Sequence, residues 1–198
     1  TKTLWILKCD VRKFFASINQ KILQEILQSH NLDKNTLWLL YQVISSFQTP
    51  NLIYAMADIK KGLPLGNLTS QLLVNVYMNW FDQYVKHRLK VRYYIRYADD
   101  FVIMSTDKFY LESLLIQIKF FLKDNLKLDL HPDKVFIKTF SSGVDFLGWV
   151  HFPNHRVLRT VTKRRMFKNL ERNPKKETVQ SYKEMLKWGN AYKISNMI

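Results

Sequence analysis

Short apolar runs alternate along the chain with longer stretches of helical period. Leu4–Val11 is almost continuously apolar, the pattern of a strand buried on both faces, and Asp10 stands near its end. Phe14 and Phe15 follow, and Asn19 then suits the N-cap of a helix over Gln20–Gln28. Leu37, Leu40, Tyr41, Ile44 and Phe47 recur at helical spacing and predict a second helix over Lys34–Phe47, ended by Thr49-Pro50-Asn51. A short strand is expected around Leu52–Tyr54. Gly62–Gln71 reads as a tight loop with Asn67 as cap. It opens a long helix to about Leu89 that carries Leu72, Leu73, Val76, Tyr77, Trp80, Phe81 and Tyr84 inward. Tyr93–Met104 holds two aromatic and β-branched runs around Asp99 and Asp100, which predicts a hairpin with both aspartates at its tip. An amphipathic helix over Lys108–Lys123 and a turn at His131–Lys134 come next. A strand over Val135–Phe140 is then expected to pair, through Ser141-Ser142-Gly143, with a strand over Val144–His151. The tail reads as helical over Thr162–Arg172 and Glu177–Asn190.

Composition narrows what this pattern can be. With 198 residues, 47% of them hydrophobic and 14% aromatic, the chain can bury a sizeable core, which excludes a disordered polymer. Lys and Arg number 31 against 16 Asp and Glu, a net charge of +15 that points to a polyanion, with nucleic acid ahead of a membrane surface. A single cysteine, Cys9, cannot form an internal disulfide and fits a reducing compartment. No apolar run is long enough to span a bilayer, so a soluble, cytoplasmic protein without a membrane partner is expected. The chain opens on Thr1 rather than Met and is expected to be a piece of a longer protein.

The order strand, helices, hairpin, helix, strand is compatible with an α+β fold of the split βαβ, ferredoxin-like kind, an antiparallel sheet backed by helices. In that topology Asp10 can lie beside the tip that carries Asp99 and Asp100. Read alone, an Asp-Asp pair is most simply a solvated acidic turn. Three carboxylates gathered at one place repel one another unless cations lie between them. They could hold two Mg²⁺ ions roughly 3.5–4 Å apart, with phosphate oxygens completing the shells.

The residues also carry a family resemblance. Tyr97-Ala98-Asp99-Asp100 resembles motif C of reverse transcriptases, and Asp10-Val11-Arg12-Lys13-Phe14-Phe15 resembles motif A. Five such motifs stand in the family's order over about 150 residues. The resemblance implies a polymerase palm over residues 1–152, the start of a helical thumb over 153–198, and RNA-directed DNA polymerase chemistry. It makes Asp10, Asp99 and Asp100 catalytic, and Asp10, Val11, Asp99 and Asp100 metal-binding for two Mg²⁺ ions. Phe15 falls where the family keeps an aromatic gate against the ribose 2′-hydroxyl. Gly62–Gln71 resembles motif B, which implies nucleotide-binding roles for Leu65, Gly66 and Gln71. Lys134, in a Pro-Asp-Lys turn, resembles motif D and would contact the nucleotide. Phe146-Leu147-Gly148-Trp149 resembles motif E, the primer grip. The basic tail, with Arg164, Arg165, Lys168 and Arg172, would track an RNA–DNA hybrid by charge and shape.

Leu65 stands where many bacterial relatives keep Gln, and Ser70-Gln71 where they keep Ser-Pro. This variant resembles the reverse transcriptases of diversity-generating retroelements. It implies error-prone cDNA synthesis, a prokaryotic or phage-encoded source and a small basic accessory protein beside the RNA template, primer and dNTPs. The alternatives are a group II intron-like or defence-associated reverse transcriptase and a non-catalytic RNA-binding palm. Only nine residues precede Asp10, so the fingers are expected to be missing from this chain.

Overall fold

The computed structural model describes residues 3–47, 60–64 and 66–198. The expected strand at Leu52–Tyr54, the helix stop at Thr49–Asn51 and the site residue Leu65 lie outside the described residues.

The first strand, β1 (Trp5–Asp10), is buried at Ile6, Leu7 and Cys9, as its mostly apolar run requires, and also at Lys8. It is followed by α1 (Phe14–Ser17), α2 (Gln20–Gln28), α3 (Lys34–Ser45) and α4 (Leu68–Gln83), whose end continues as a π-helical turn over Tyr84–Arg88. Next come β2 (Tyr94–Tyr97), β3 (Asp100–Ser105), α5 (Lys108–Leu126) and β4 (Phe136–Thr139). The sheet order is β2-β3-β1-β4, which is the expected split βαβ arrangement with helices between its strands. A three-stranded sheet, β5 (Val144–Phe146), β6 (Trp149–His151) and β7 (Arg156–Leu158), follows in sequential order. The chain then runs through α6 (Thr160–Arg172), α7 (Lys176–Leu186) and α8 (Tyr192–Ser195).

Two compact units result, Leu7–Ile137 and a second made of Lys138–Ile198 with the start of β1 up to Ile6. The first unit is held by an aromatic knot. Phe81 of α4 meets Phe101 of β3 at 5.0 Å between ring centroids, and Tyr94 of β2 and Phe121 of α5 at 6.1 Å each. Helix α5 turns Leu111, Leu114, Ile118, Leu122 and Leu126 inward, and the Tyr77 hydroxyl donates to the buried carbonyl of Leu126 at 2.6 Å. The second unit buries Leu158, Met166, Leu186 and Ala191, with Trp149 and Phe167 packed on them.

Three expectations need correction. Helix α4 buries Leu73, Val74, Tyr77, Met78 and Phe81, whereas Leu72 and Trp80 are exposed, because α4 packs on both α2 and α5 and the buried arc is displaced from the one periodicity picks out. Along α3 only Ile44 is fully buried. The strands over Val135–Phe140 and Val144–His151 are not hairpin partners. β4 joins the first sheet beside β1, and the second hairpin lies wholly inside Val144–His151, with Phe146 opposite Trp149. Its two-residue loop, Leu147-Gly148, has φ of 52° and 83°, the left-handed pair that a tight hairpin demands.

Candidate active site

Two strand ends and one tight turn build the site. Asp10 is the last residue of β1, and Asp99 lies in the two-residue turn between β2 and β3. Asp100 opens β3 opposite Tyr97, so only one of the two aspartates sits at the hairpin tip. Ala98 takes φ 51° to close that turn. The Val11 N–H donates to the Asp99 carbonyl at 3.1 Å, which ties the end of β1 to the turn. On its other side, the His131 N–H donates to the Asp10 carbonyl at 2.7 Å and the Arg12 N–H to the Asp129 carbonyl at 2.8 Å. These bonds bring the turn preceding Lys134 to the same strand end.

The carboxylates are half-buried, and Asp99 and Asp100 answer to their neighbours' charge. Burial pushes the Asp99 carboxyl above the usual aspartate range, the Asp10 charge pushes it the same way, and Lys134 and Lys8 oppose both. Burial also raises Asp100, a hydrogen bond from Lys8 lowers it, and the charges of Asp10 and Asp99 raise it again. The Lys8 ammonium lies 2.9 Å from Asp100 Oδ2. Lys134 reaches both oxygens of Asp10, at 3.1 and 3.2 Å. Among the described residues no three His, Cys, Asp or Glu side chains stand in a ready metal-holding arrangement. Asp100 Oδ1 is nevertheless buried with no hydrogen-bond partner among them. A buried, orphaned carboxylate oxygen is the kind of donor that a hard divalent cation accepts.

Backbone bonds also bring the loop after residue 60 onto the segment after Asp10. Leu63 N–H donates to the Phe15 carbonyl at 2.9 Å, Gly62 N–H to Ile18 at 2.8 Å, and Gln20 N–H to Lys60 at 3.1 Å. Phe15 is half-buried and meets Phe14 edge-on at 5.6 Å. Gly66 takes φ 90°, and among the described residues nothing lies within 4 Å of where a Cβ would sit. Gln71 is exposed in the first turn of α4, behind Asn67, which holds the N-cap position without a side-chain cap bond.

The family model described as reverse transcriptase (RNA-dependent DNA polymerase) matches residues 1–151. The chain belongs to the reverse transcriptase family. Protein YkfC of Escherichia coli is 27% identical over 191 residues, which cover 80% of this chain and 48% of YkfC. A Saccharomyces cerevisiae protein named for intron 2 of COX1/OXI3 is 23% identical over 201 residues, 73% of this chain and 23% of that protein. The chain thus spans about half the length of one curated relative and a quarter of the other. The fold also resembles solved telomerases of Candida tropicalis. The apo form truncated from its C-terminal domain matches at a TM-score of 0.54 and 14% identity, over 82% of this chain and 35% of that one. The form in complex with a TWJ fragment of telomeric RNA matches at 0.57 and 14%, over 86% and 33%. At such identity the likeness establishes the fold, an α+β palm-like sheet with the following helical region.

Within this reverse transcriptase fold, Phe146 is buried, Leu147 is exposed, and Gly148 and Trp149 are half-buried around the second hairpin. Two features escaped sequence reasoning. One is Lys8, a buried cation two residues before Asp10. The other is Arg96, which donates to Asp82 through Nε at 2.8 Å and Nη2 at 2.6 Å, and to the Ala98 carbonyl at 2.9 Å. Tyr94 adds a hydroxyl bond to the same Asp82 at 2.6 Å. The available signals were a lysine inside a mostly apolar strand and, at Asp82, the one charged residue of α4. Cys9, on the opposite face of β1 from Lys8, is fully buried, and burial pushes its thiol up to about 12, so it is chemically quiet.

Proposed function

We propose that the chain is the palm, residues 1–152, and the start of the thumb, residues 153–198, of an RNA-directed DNA polymerase. It adds dNTPs to a DNA or RNA primer on an RNA template. The observation that carries this reading is the hydrogen bond from Val11 to Asp99, which joins the Asp10 strand end to the turn of the Tyr97-Ala98-Asp99-Asp100 box in a chain of this family. Asp10, Asp99 and Asp100, with the backbone at Val11, would hold two Mg²⁺ ions. When bound, the ions supply activation of the primer 3′-hydroxyl and charge stabilisation on the leaving pyrophosphate. Lys134, whose ammonium lies 3.1 Å from Asp10 Oδ1, would donate a proton to that pyrophosphate. Phe15 would close the sugar side of the nucleotide site, and Gly66 and Gln71 would contribute to its base side. Phe146, Leu147, Gly148 and Trp149 grip the primer.

The test is primer extension on an RNA template by the full-length protein. Asp10→Asn and Asp99→Asn are each expected to cut extension by roughly 100- to 1,000-fold; activity retained in either sinks the site. Phe15→Ala should raise ribonucleotide incorporation relative to dNTPs by roughly tenfold or more, since a removed clash acts on one substrate only.

The finer reading is error-prone cDNA synthesis in a diversity-generating retroelement, with a small basic accessory protein. Its support is the Leu65-Gly66 and Ser70-Gln71 pattern. A second reading, an intron-encoded enzyme, is favoured by the relative named for a COX1/OXI3 intron. Sequencing the DNA around the reading frame separates them. Near-identical repeats differing mainly at adenines support the first, and a surrounding intron RNA supports the second.

A further inference from the structure

Lys8 is anomalous for its place. It lies between buried Ile6, Leu7 and Cys9 in β1 and is itself only 8% exposed. Burying an ammonium is costly, and a hydrophobic residue of the same volume commonly serves stability as well or better. Side chains two apart on a strand share a face, so Lys8 and Asp10 point to the same side of β1. β3 is the neighbour of β1 in the sheet, and its first residue, Asp100, meets Lys8 there. The contact is one-sided. Lys8 Nζ lies 2.9 Å from Asp100 Oδ2, whereas Oδ1 is buried without a hydrogen-bond partner among the described residues.

We infer that Lys8 is a positioning residue for Asp100, anchoring one carboxylate oxygen so that the other is presented to a divalent cation. Lys8 itself touches neither substrate nor cation in this reading. The inference rests on the metal-dependent function proposed above and deepens it. It also makes a prediction of unusual sign. Removing a positive charge next to a cation site strengthens cation binding by simple electrostatics. Removing an anchor weakens it, because the freed carboxylate turns away.

The experiment is Mn²⁺ binding to the full-length protein by calorimetry, with thermal melting of each variant in metal-free buffer. Lys8→Met is expected to weaken Mn²⁺ binding by roughly tenfold, and Asp100→Asn by a similar factor. The double variant K8M/D100N should bind no worse than D100N alone, since the two residues act as one unit. Its melting temperature should recover above that of Lys8→Met, because no unpaired buried charge remains. Lys8→Arg, which keeps a charged donor, should restore part of the binding. Unchanged or tighter Mn²⁺ binding in Lys8→Met overturns the inference, as do additive losses in the double variant. Where Lys8→Met fails to fold, the comparison of K8M/D100N with D100N decides alone, and Mn²⁺ binding more than about threefold weaker in the double variant overturns it. Asp10→Asn and Asp99→Asn separate the two levels. If both lose Mn²⁺ while Lys8→Met keeps it, only the role of Lys8 falls. If neither loses it, the metal site falls and Lys8 with it.

Discussion

Asp99 shows how a single side chain trades stability for chemistry. It sits in the hairpin turn with its carboxyl partly stripped of water and faces the charge of Asp10. Its folded-state pKa lies above the ordinary value of 3.8, so the native state binds the proton more tightly than the unfolded chain. Ionised Asp99 therefore costs stability above the folded value, and the cost vanishes as pH falls below the unfolded one. Asp99→Asn should melt at a higher temperature than wild type in metal-free buffer at neutral pH. The advantage should shrink to nothing as pH descends through the window between the raised value and 3.8. Melting curves across pH check this, and they make the loss of extension in the same variant a loss of chemistry rather than of folding. The identities of Asp10, Asp99, Asp100 and Phe15 as candidate residues were legible in the chain, because each stands in a short motif whose spacing survives any reading of the fold. Lys8 was not, because lysines in strands are ordinarily turned to water and only the β1–β3 pairing shows this one buried.

At the scale of elements, the hairpin that carries Asp99 is steered from outside itself. Arg96 bridges Asp82 on α4 to the Ala98 carbonyl inside the turn, and its side chain is only 8% exposed. Arg96→Met leaves Asp82 partly buried with its ion pair broken, which should cost about 3 kcal/mol in global stability. The loss should fall first on the hairpin. Hydrogen exchange is the measurement: amides of β2 and β3 should lose more protection than those of α5. Asp82→Asn in the same chain should return part of the stability, because the stranded charge is removed. The split βαβ class of the first sheet was readable from the sequence, since its apolar runs are flanked by clear helices or turns, but the place of β4 beside β1 was not. The second sheet was read wrongly in its pairing. β5, β6 and β7 have three residues each, too few to show a period, and the decisive turn uses a leucine, Leu147, at positive φ. No propensity rule places leucine there. The inward face of α4 was misplaced for a related reason: periodicity fixes spacing along a helix, but α2 and α5 decide which arc is covered.

For the molecule as a whole, charge is the dominant property. A net +15 on 198 residues favours a phosphate-rich partner, and α6 gathers Arg164, Arg165, Lys168 and Arg172 as exposed side chains within two and a half turns. Among the described residues no helix is long and apolar enough to cross a membrane. If α6 tracks nucleic-acid backbone, replacing Arg165, Lys168 and Arg172 by Ala should weaken binding to an RNA–DNA hybrid alike for all sequences. The slope of log affinity against log salt should flatten by about 3, as released counterions are lost with the contacts. An unchanged slope would move the hybrid to another surface.

What the sequence determined by itself is local and chemical: the strand and helix periods, the N-cap positions at Asn19 and Asn67, the acidic box, the aromatic behind Asp10, and a strongly basic net charge. These depend on neighbours a few residues apart, and the chain order displays them directly. Tertiary structure alone decided which charges meet. Lys8 and Asp100 are 92 residues apart, and Lys134 and Asp10 are separated by 124. Such pairs exist only because the sheet runs β2-β3-β1-β4, and strand order is settled by competition among all the buried faces at once, which no local pattern records.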